Sequence, residues 1–573
     1  MFGLQLADAL VLLGYLAGVT ALGVWTARRF RSLTDFFLPR KFNKLFMIMY
    51  AFGTGTASDQ AVLVAAATFR NGIAGIWYQW LWLFATPFYW MIAPVMRRFR
   101  AITTADVYAL RYDRSVARLF AVVGVLSLSV KIGVMLKGAG VLLEAATAGR
   151  MDANLTILAM SVLFVVYGTA GGLSAVVMTD FVQGLLTLLF SFMLLPLVFH
   201  EVGGMEGIRA TINDPQKLSL VAPGKIGLFF IVMIGLQALV GIVAQPFVMA
   251  TCAAGKTEMD GRIGFVAGNF IKRLCTIAWA LTALGATALY IKRGLGAESL
   301  NPDHVYGDLA RMLLPPVAPG LLGLFIASLL ASVTASCGSF MISSSAMITA
   351  NLYKPLVPGR TPEHYLRVAR VAAVLVVAGG LAFAFWLPDL IKGLEIWLSI
   401  APMMGIAFWM GLFWTRMTVA GAWASTLAGF GAWLITTRPA VVRAIDHLPI
   451  AGPLRLVWRE SGKAPELYEP WRITLYMTAA VLSGIVVSLL TRRVDLEQLD
   501  RFYALVITPE QPGEQVDQPC TLPAGAVVPQ RKMLITAFGL RVPMPSRTSL
   551  AGFALGWVIV GALIGGFVWF VRG

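Results

Sequence analysis

Few residues in this chain carry charge. Of 573 residues only 13% are Asp, Glu, Lys or Arg, where a soluble domain has nearer a quarter. So few charges cannot coat a water-facing surface of this size, so most of the surface must face lipid. Histidine is scarce as well. The four present, His200, His304, His364 and His447, are scattered among loops and span ends. No His-rich or Ser–His constellation exists, which argues against a membrane-embedded enzyme. Cys252, Cys275, Cys337 and Cys520 show no metal-ligand spacing and no disulfide framework. No nucleophile motif, phosphate loop or dinucleotide fingerprint stands out. Acidic residues are outnumbered 29 to 46, giving a net charge of +17. The basic residues cluster in short loops between apolar runs, as the positive-inside rule expects, and no nucleic-acid motif accompanies them.

What the chain has in abundance is apolar sequence, 58% of all residues. A helix needs about 20 apolar residues to span the hydrocarbon core. These runs are continuous rather than alternating, so they read as helices and not barrel strands. The spans fall at 7–26, 43–69, 74–96, 117–145, 153–170, 173–199, 226–252, 264–291, 319–350, 368–388, 393–414, 418–437, 472–490 and 550–570, fourteen in all. The first apolar run, Leu10 to Trp25, lacks a basic n-region and is followed by Arg28, Arg29 and Arg31; it reads as an uncleaved span rather than a signal peptide.

Basic residues fill odd-numbered loops: Arg28, Arg29, Arg31, Arg40, Lys41 and Lys44 after span 1; Arg97, Arg98, Arg100, Arg111, Arg114 and Arg118 after span 3; Lys354, Arg360, Arg367 and Arg370 after span 9. These loops share one side, expected to be cytoplasmic, with both termini outside and the chain in the plasma (cytoplasmic) membrane. The loop at 438–471 carries several arginines on the other side. Residues 491–548 are polar and read as a cytoplasmic segment, part amphipathic helix and part flexible. The expected organisation is therefore 1–42, a first helix and loop; 43–414, a core divided at about 199 and 226; 415–490, peripheral helices; 491–548, the polar segment; and 549–573, a last span.

An intramembrane charge costs at least a few kcal/mol, so it marks function by default. Gly53-Thr-Gly-Thr-Ala-Ser-Asp-Gln60 places glycines, hydroxyls and a carboxylate inside span 2. That composition destabilises a continuous helix, and an unwound helix frees carbonyls for a cation and turns half-helix dipoles toward a solute. The alternative is tight packing by small residues with Asp59 near the headgroups. In span 9, Ser332, Ser336, Ser339 and Ser343 recur at helical spacing and form a hydroxyl-rich face. Such a face serves either a hard cation or interhelical packing. Span 4 holds Lys131, Lys137 and Glu144. A solute or ion role for Lys137 needs an internal anion, for which Asp59 and Asp180 are candidates.

Several stretches together resemble the sodium–solute symporter family. Tyr167-Gly-Thr-Ala-Gly-Gly-Leu-Ser-Ala-Val-Val-Met-Thr-Asp-Phe-Val-Gln183 carries its Tyr, Gly-Gly-Leu, Ala-Val, Thr-Asp and Gln pattern. Thr34-Asp-Phe-Phe-Leu38, the stretch Ile102 to Tyr112, the stretch Leu412 to Ala422 and the stretch Phe502 to Pro509 are similar to family motifs in the same order. The resemblance covers nearly the whole chain. It implies an all-α membrane protein with a LeuT-type core of two inverted five-helix repeats, spans 2–6 and 7–11, with spans 2 and 7 broken. Gly241-Ile-Val-Ala-Gln-Pro246 in span 7 agrees, since proline removes a backbone bond there.

The same resemblance implies a sodium site from Ala57, Gln60, Ser332, Ala335 and Ser336, and a second from Asp180 and Ser339. Ala335 stands where the family has a serine, so one hydroxyl is missing; Gly338 likewise lacks an oxygen. Asp59 matches an acid of the proline branch and, with Lys137, is a candidate for coupling or gating. Met249 to Ala254 departs from the Gln-Arg that many relatives carry after span 7. Solute is expected between spans 2 and 7 and spans 3, 4 and 11, near Gln60, Gln79, Lys137, Gln237, Gln245 and Trp397. The expected function is sodium-coupled uptake of a small polar organic solute. Its alternatives are transport on the same fold driven by protons or by no ion, and a membrane sensor signalling through 491–548.

Overall fold

The computed structural model describes all residues except 1–3, 30–37, 39, 223, 296–299, 460–463, 512, 515 and 517, and gives backbone alone at 20, 22–29, 163 and 167–175. The motif at Thr34 and the side chains of Tyr167 to Ser174 therefore lie outside the described residues. The fold is all-α, with two short antiparallel hairpins, Val457–Trp458 with Glu466–Leu467 and Met533–Ile535 with Val542–Pro543. Among the described residues nine helices are long and apolar enough to cross a bilayer, or ten when one bent pair is counted.

After helix α1 (Leu6–Arg29), the second expected span is two helices, α2 (Lys44–Gly53) and α3 (Ser58–Asn71). Asn43 caps α2 by accepting from the N–H groups of Leu45 and Phe46. The chain leaves helical geometry at Thr54, passes through Gly55 at φ +82°, and re-enters after extended Ala57. A positive φ is open to glycine at no steric cost, so the break sits where the glycine is.

The third expected span is not one helix. A 3-10 stretch (Gly72–Ile76) and one turn (Trp77–Trp80) precede helix α4 (Thr86–Arg98). Two local features account for this. A Cβ on Gly75 would lie 2.3 Å from the Thr68 nitrogen, so the chain doubles back tightly on α3. Pro87, in the first turn of α4, has no N–H to continue a helix from residues 81–85.

Helix α5 (Thr104–Arg111) follows, then α6 (Arg114–Ala146) and α7 (Ala153–Met193). Spans 5 and 6, read from the sequence as 153–170 and 173–199, here lie on one helical stretch; its apolar portions are Ala153–Val166 and, continuing beyond Met193, Val176–Val202. Helices α8 (Leu228–Ile242) and α9 (Phe247–Ala253) form the bent pair, 69° apart across the break before Pro246. Then come α10 (Glu258–Lys292), α11 (Leu321–Met347), α12 (Pro362–Trp386), α13 (Leu390–Phe413), α14 (Val419–Thr436), α15 (Glu469–Leu490), α16 (Leu496–Ile507) and α17 (Arg547–Arg572).

Two groups of helices divide the roles. α2, α3, α6, α10, α11 and α13 are buried along most of their length. α12, α15 and α17 expose large apolar side chains, such as Leu375 at 64% and Val558 at 66%, which is a surface for lipid rather than water. The half-helix α2 packs closely on α10. A Cβ on Gly264 would meet Met47 at 2.5 Å, and one on Gly268 would meet the Ile48 carbonyl at 2.7 Å. Small residues four apart let the two backbones approach.

The loops after spans 1, 3 and 7 meet the polar segment at one end of the molecule. Arg40 and Arg97 both reach Glu510, at 2.8 and 3.1 Å, Arg98 pairs with Glu258 at 2.7 Å, and Arg100 pairs with Glu514. Helix α16 buries Leu499, Phe502, Tyr503 and Val506. The polar segment thus docks on the core through one amphipathic helix and two glutamates.

Candidate functional site

The break between α2 and α3 is held by hydroxyls of α11. Ser336 Oγ donates to the Gly53 carbonyl at 2.8 Å and accepts from the Gly55 N–H at 3.1 Å. Ser332 Oγ accepts from the Ser58 N–H at 3.1 Å, and Ser339 Oγ lies 3.2 Å from Thr54 Oγ1. The serines three and four apart on α11 thus face the unwound residues, which is where a helix end leaves backbone groups without partners. Ala335 is buried among them and offers only a methyl group. Gln60 folds back and donates through its side-chain amide to the Gly55 carbonyl, while the Ala57 carbonyl accepts from the Gln60 N–H at 3.0 Å. From the far side Lys272 of α10 donates to the Thr54 carbonyl at 2.7 Å.

Asp180 stands beside the break. It is fully buried, and neither carboxylate oxygen has a hydrogen-bond partner among the described residues. Its Cγ lies 3.6 Å from where a Cβ of Gly53 would be, so the bare glycine leaves it room. A buried carboxylate without donors is costly; a cation or a proton relieves that cost.

Asp59 opens α3 and meets α6. A Cβ on Gly138 would lie 2.7 Å from the Cα and Cβ of Asp59, so the two backbones touch there. Seven residues earlier on the same face, Lys131 pairs with the Asp59 carboxylate at 2.8 Å, both side chains being 2% exposed. The ammonium also sits 4.7 Å from the Trp397 ring centre, a cation–π geometry. Lys137 is one position off that face, about 100° around the helix. It is half-buried and forms no ion pair within 4 Å among the described residues.

A small cavity of about 40 Å³ lies between the two broken spans. It is lined by Gln60, Gln79, Gln245 and Trp397 together with Lys131, Asn269, Lys272 and Arg273. Gln237 lies elsewhere: its amide donates to the Tyr476 hydroxyl at 2.9 Å, toward α15. Lys272, Arg273 and Asn269 were not singled out from the sequence. The signal was there, since Lys272 and Arg273 are the only charges between 264 and 291, and the rule that drew attention to Asp59 applies to them equally.

The family model "Sodium:solute symporter family" matches residues 36–429. The chain belongs to the sodium:solute symporter family. Among curated proteins it is 26% identical to the sodium/pantothenate symporter of Escherichia coli over 459 residues, 74% of this chain and 89% of that one. It is 26% identical to the high-affinity proline transporter PutP of Bacillus subtilis over 506 residues, 84% of this chain and 98% of that one. It is also 26% identical to the rat (Rattus norvegicus) sodium/glucose cotransporter 2, over 74% of this chain and 70% of that one. Among solved structures it shares the fold of a Na+-coupled sialic acid symporter in a substrate-bound outward-open state, with a TM-score of 0.70 at 17% identity, covering 86% of this chain and all of that one.

Proposed function

We propose that this member of the family moves a small polar organic solute across the plasma membrane together with sodium, by alternating access. The observation that carries this reading is the break between α2 and α3, braced by α11 hydroxyls and flanked by a buried Asp180 without a partner among the described residues. Hard cations take oxygen ligands, and the break concentrates them. In this reading one sodium lies among the Ala57, Gln60 and Ser332 carbonyls and the Ser336 hydroxyl, with Ala335 lowering the ligand count by one. A second cation lies by Asp180 near Ser339. Solute occupies the cavity by Gln79, Gln245 and Trp397, and the broken spans carry the rocking motion. The named relatives, symporters of pantothenate, proline and glucose, support sodium coupling without choosing among solutes. The fourteen-span layout, the paired inverted repeats 43–199 and 226–414, and termini outside belong to the same proposal.

The experiment is solute-dependent sodium-22 uptake in proteoliposomes. Uptake that requires an imposed sodium gradient and disappears in Asp180→Asn supports it. One observation favours a second reading, transport without sodium: Lys272 already brings a fixed positive charge to the Thr54 carbonyl at the break. In that case solute flux is indifferent to sodium and falls when Lys272 is neutralised.

A further inference from the structure

We infer that the solute of this cavity is an organic anion, held through a carboxylate by Lys272 and Arg273. The inference rests on the reading of the cavity as the solute site and names its chemical class.

The argument begins with a charge balance. Lys131, Lys272 and Arg273 all line the cavity, and no Asp or Glu lines it. Lys131 is neutralised by Asp59 immediately behind it. Among the described residues, no carboxylate lies within 4 Å of Lys272 or Arg273, although these residues are 7% and 2% exposed. Two adjacent buried cations without a counter-ion are strongly unfavourable, in the middle of a helix that is otherwise apolar across the bilayer. A bound anion removes that imbalance; a neutral sugar does not.

The donors are poised for such a ligand. Lys272 spends one of its three N–H bonds on the Thr54 carbonyl. Arg273 donates through Nε to the Asn269 carbonyl and through one terminal nitrogen to the Gln79 carbonyl, both on the backbone. Those bonds fix the guanidinium plane and leave its other terminal nitrogen for a ligand. A guanidinium beside an ammonium matches a carboxylate, which accepts paired, charge-assisted hydrogen bonds. The side-chain amides of Gln79 and Gln245 line the same space, among the aromatic rings of Trp82, Phe247, Phe265, Phe340 and Trp397. A carboxylate head on a short, largely apolar body suits that mixture. The present volume, about 40 Å³, holds only about three waters, so a short acid needs less opening than a sugar.

The test uses the whole chain in nanodiscs, with acetate, propionate, pyruvate and succinate as anionic probes and glucose and myo-inositol as the contrast. The expected result is that at least one carboxylate raises the melting temperature saturably and the neutral sugars do not. Lys272→Gln, which keeps a donor for the Thr54 carbonyl, and Arg273→Gln should each weaken that binding at least about tenfold. Both variants should melt no lower than the parent without ligand, since each removes an unpaired buried charge; Arg273→Lys should retain part of the binding. Stabilisation by a neutral sugar, undiminished in both variants, overturns the inference, as does failure of every carboxylate. Sodium-22 flux separates the two readings. Carboxylate binding without sodium coupling leaves the anion site standing and removes symport; sodium flux driven by a neutral solute does the reverse.

Discussion

Lys131 and Asp59 form an ion pair at 2.8 Å across α6 and α3, with each side chain only 2% exposed and the ammonium also over Trp397. The pair joins the first residues after the break to a helix that does not unwind. Removing one partner strands the other charge in the membrane, a loss of about 3–5 kcal/mol. Asp59→Asn and Lys131→Met should each lower the melting temperature and abolish solute flux. The double variant should regain most of the stability, because no lone charge remains. Thermal melts of all three, with transport measured in parallel, check this.

Ala335 supplies a methyl group among the hydroxyls that face the break. Placing a serine there adds an oxygen for a hard cation. Ala335→Ser should lower the half-saturating sodium concentration several-fold, on the order of 1 kcal/mol for one added ligand. Ser336→Ala should raise it and also cost stability, since Ser336 bonds both the Gly53 carbonyl and the Gly55 N–H. Sodium-dependent thermal stabilisation across the three proteins reads this directly.

Gly138 has no room for a side chain. A Cβ there would lie 2.7 Å from two carbons of Asp59, one of them backbone. Gly138→Ala should force α6 and α3 apart, costing about 1–3 kcal/mol and slowing transport out of proportion to the loss of folded protein. Flux per folded molecule is the deciding measurement.

Glu510 is shared by Arg40 and Arg97 and is almost fully buried. Glu510→Gln should loosen residues 508–520 from the core and speed their proteolysis. For neighbouring Glu514, burial pushes the pKa up, but the hydrogen bonds from Arg100 and the Gln511 N–H and the positive charges of Arg100 and Arg40 together outweigh it, so the carboxyl sits below its ordinary value. A depressed folded pKa means the contact stabilises above the unfolded value, about 4.3, and is lost as pH falls through the lower folded value. Proteolysis of the segment should therefore be flat from about pH 5 to 8 and rise only below about pH 4.

How much of this was legible in the sequence depended on whether a feature is local. The break after Gly53 showed in composition, because Gly55 and the hydroxyls beside it disfavour helix wherever they fall. The α11 serines showed in spacing. Lys131 and Lys137 cannot be told apart without knowing where α3 crosses α6, because the six residues from one to the other turn the two side chains about 120° apart around the helix. Gln237 lies within ten residues of Gln245, yet it turns toward Tyr476, a neighbour 239 positions away that no local pattern marks. The fragmentation of the third span comes from two local features that run length alone does not mark, Gly75 packing on Thr68 seven residues back and Pro87 in the first turn of α4. Lys272 and Arg273 are readable too, as the only charges of the stretch 264–291, although that span is ordinary in length.

Arg111 is almost fully buried, at 2% exposure. Arg111, in α5, donates to the carbonyls of Gly411, Trp414 and Met417 at the end of α13, at 2.7, 2.9 and 3.3 Å. Three bonds from one guanidinium to the end of another helix make a rivet. The loop holding α5 and the end of α13 should therefore travel as a single rigid piece, whatever the broken helices do. Spin labels on α5 and on the start of α14 should keep one separation through the whole cycle, supplying a fixed ruler against which every moving part can be measured.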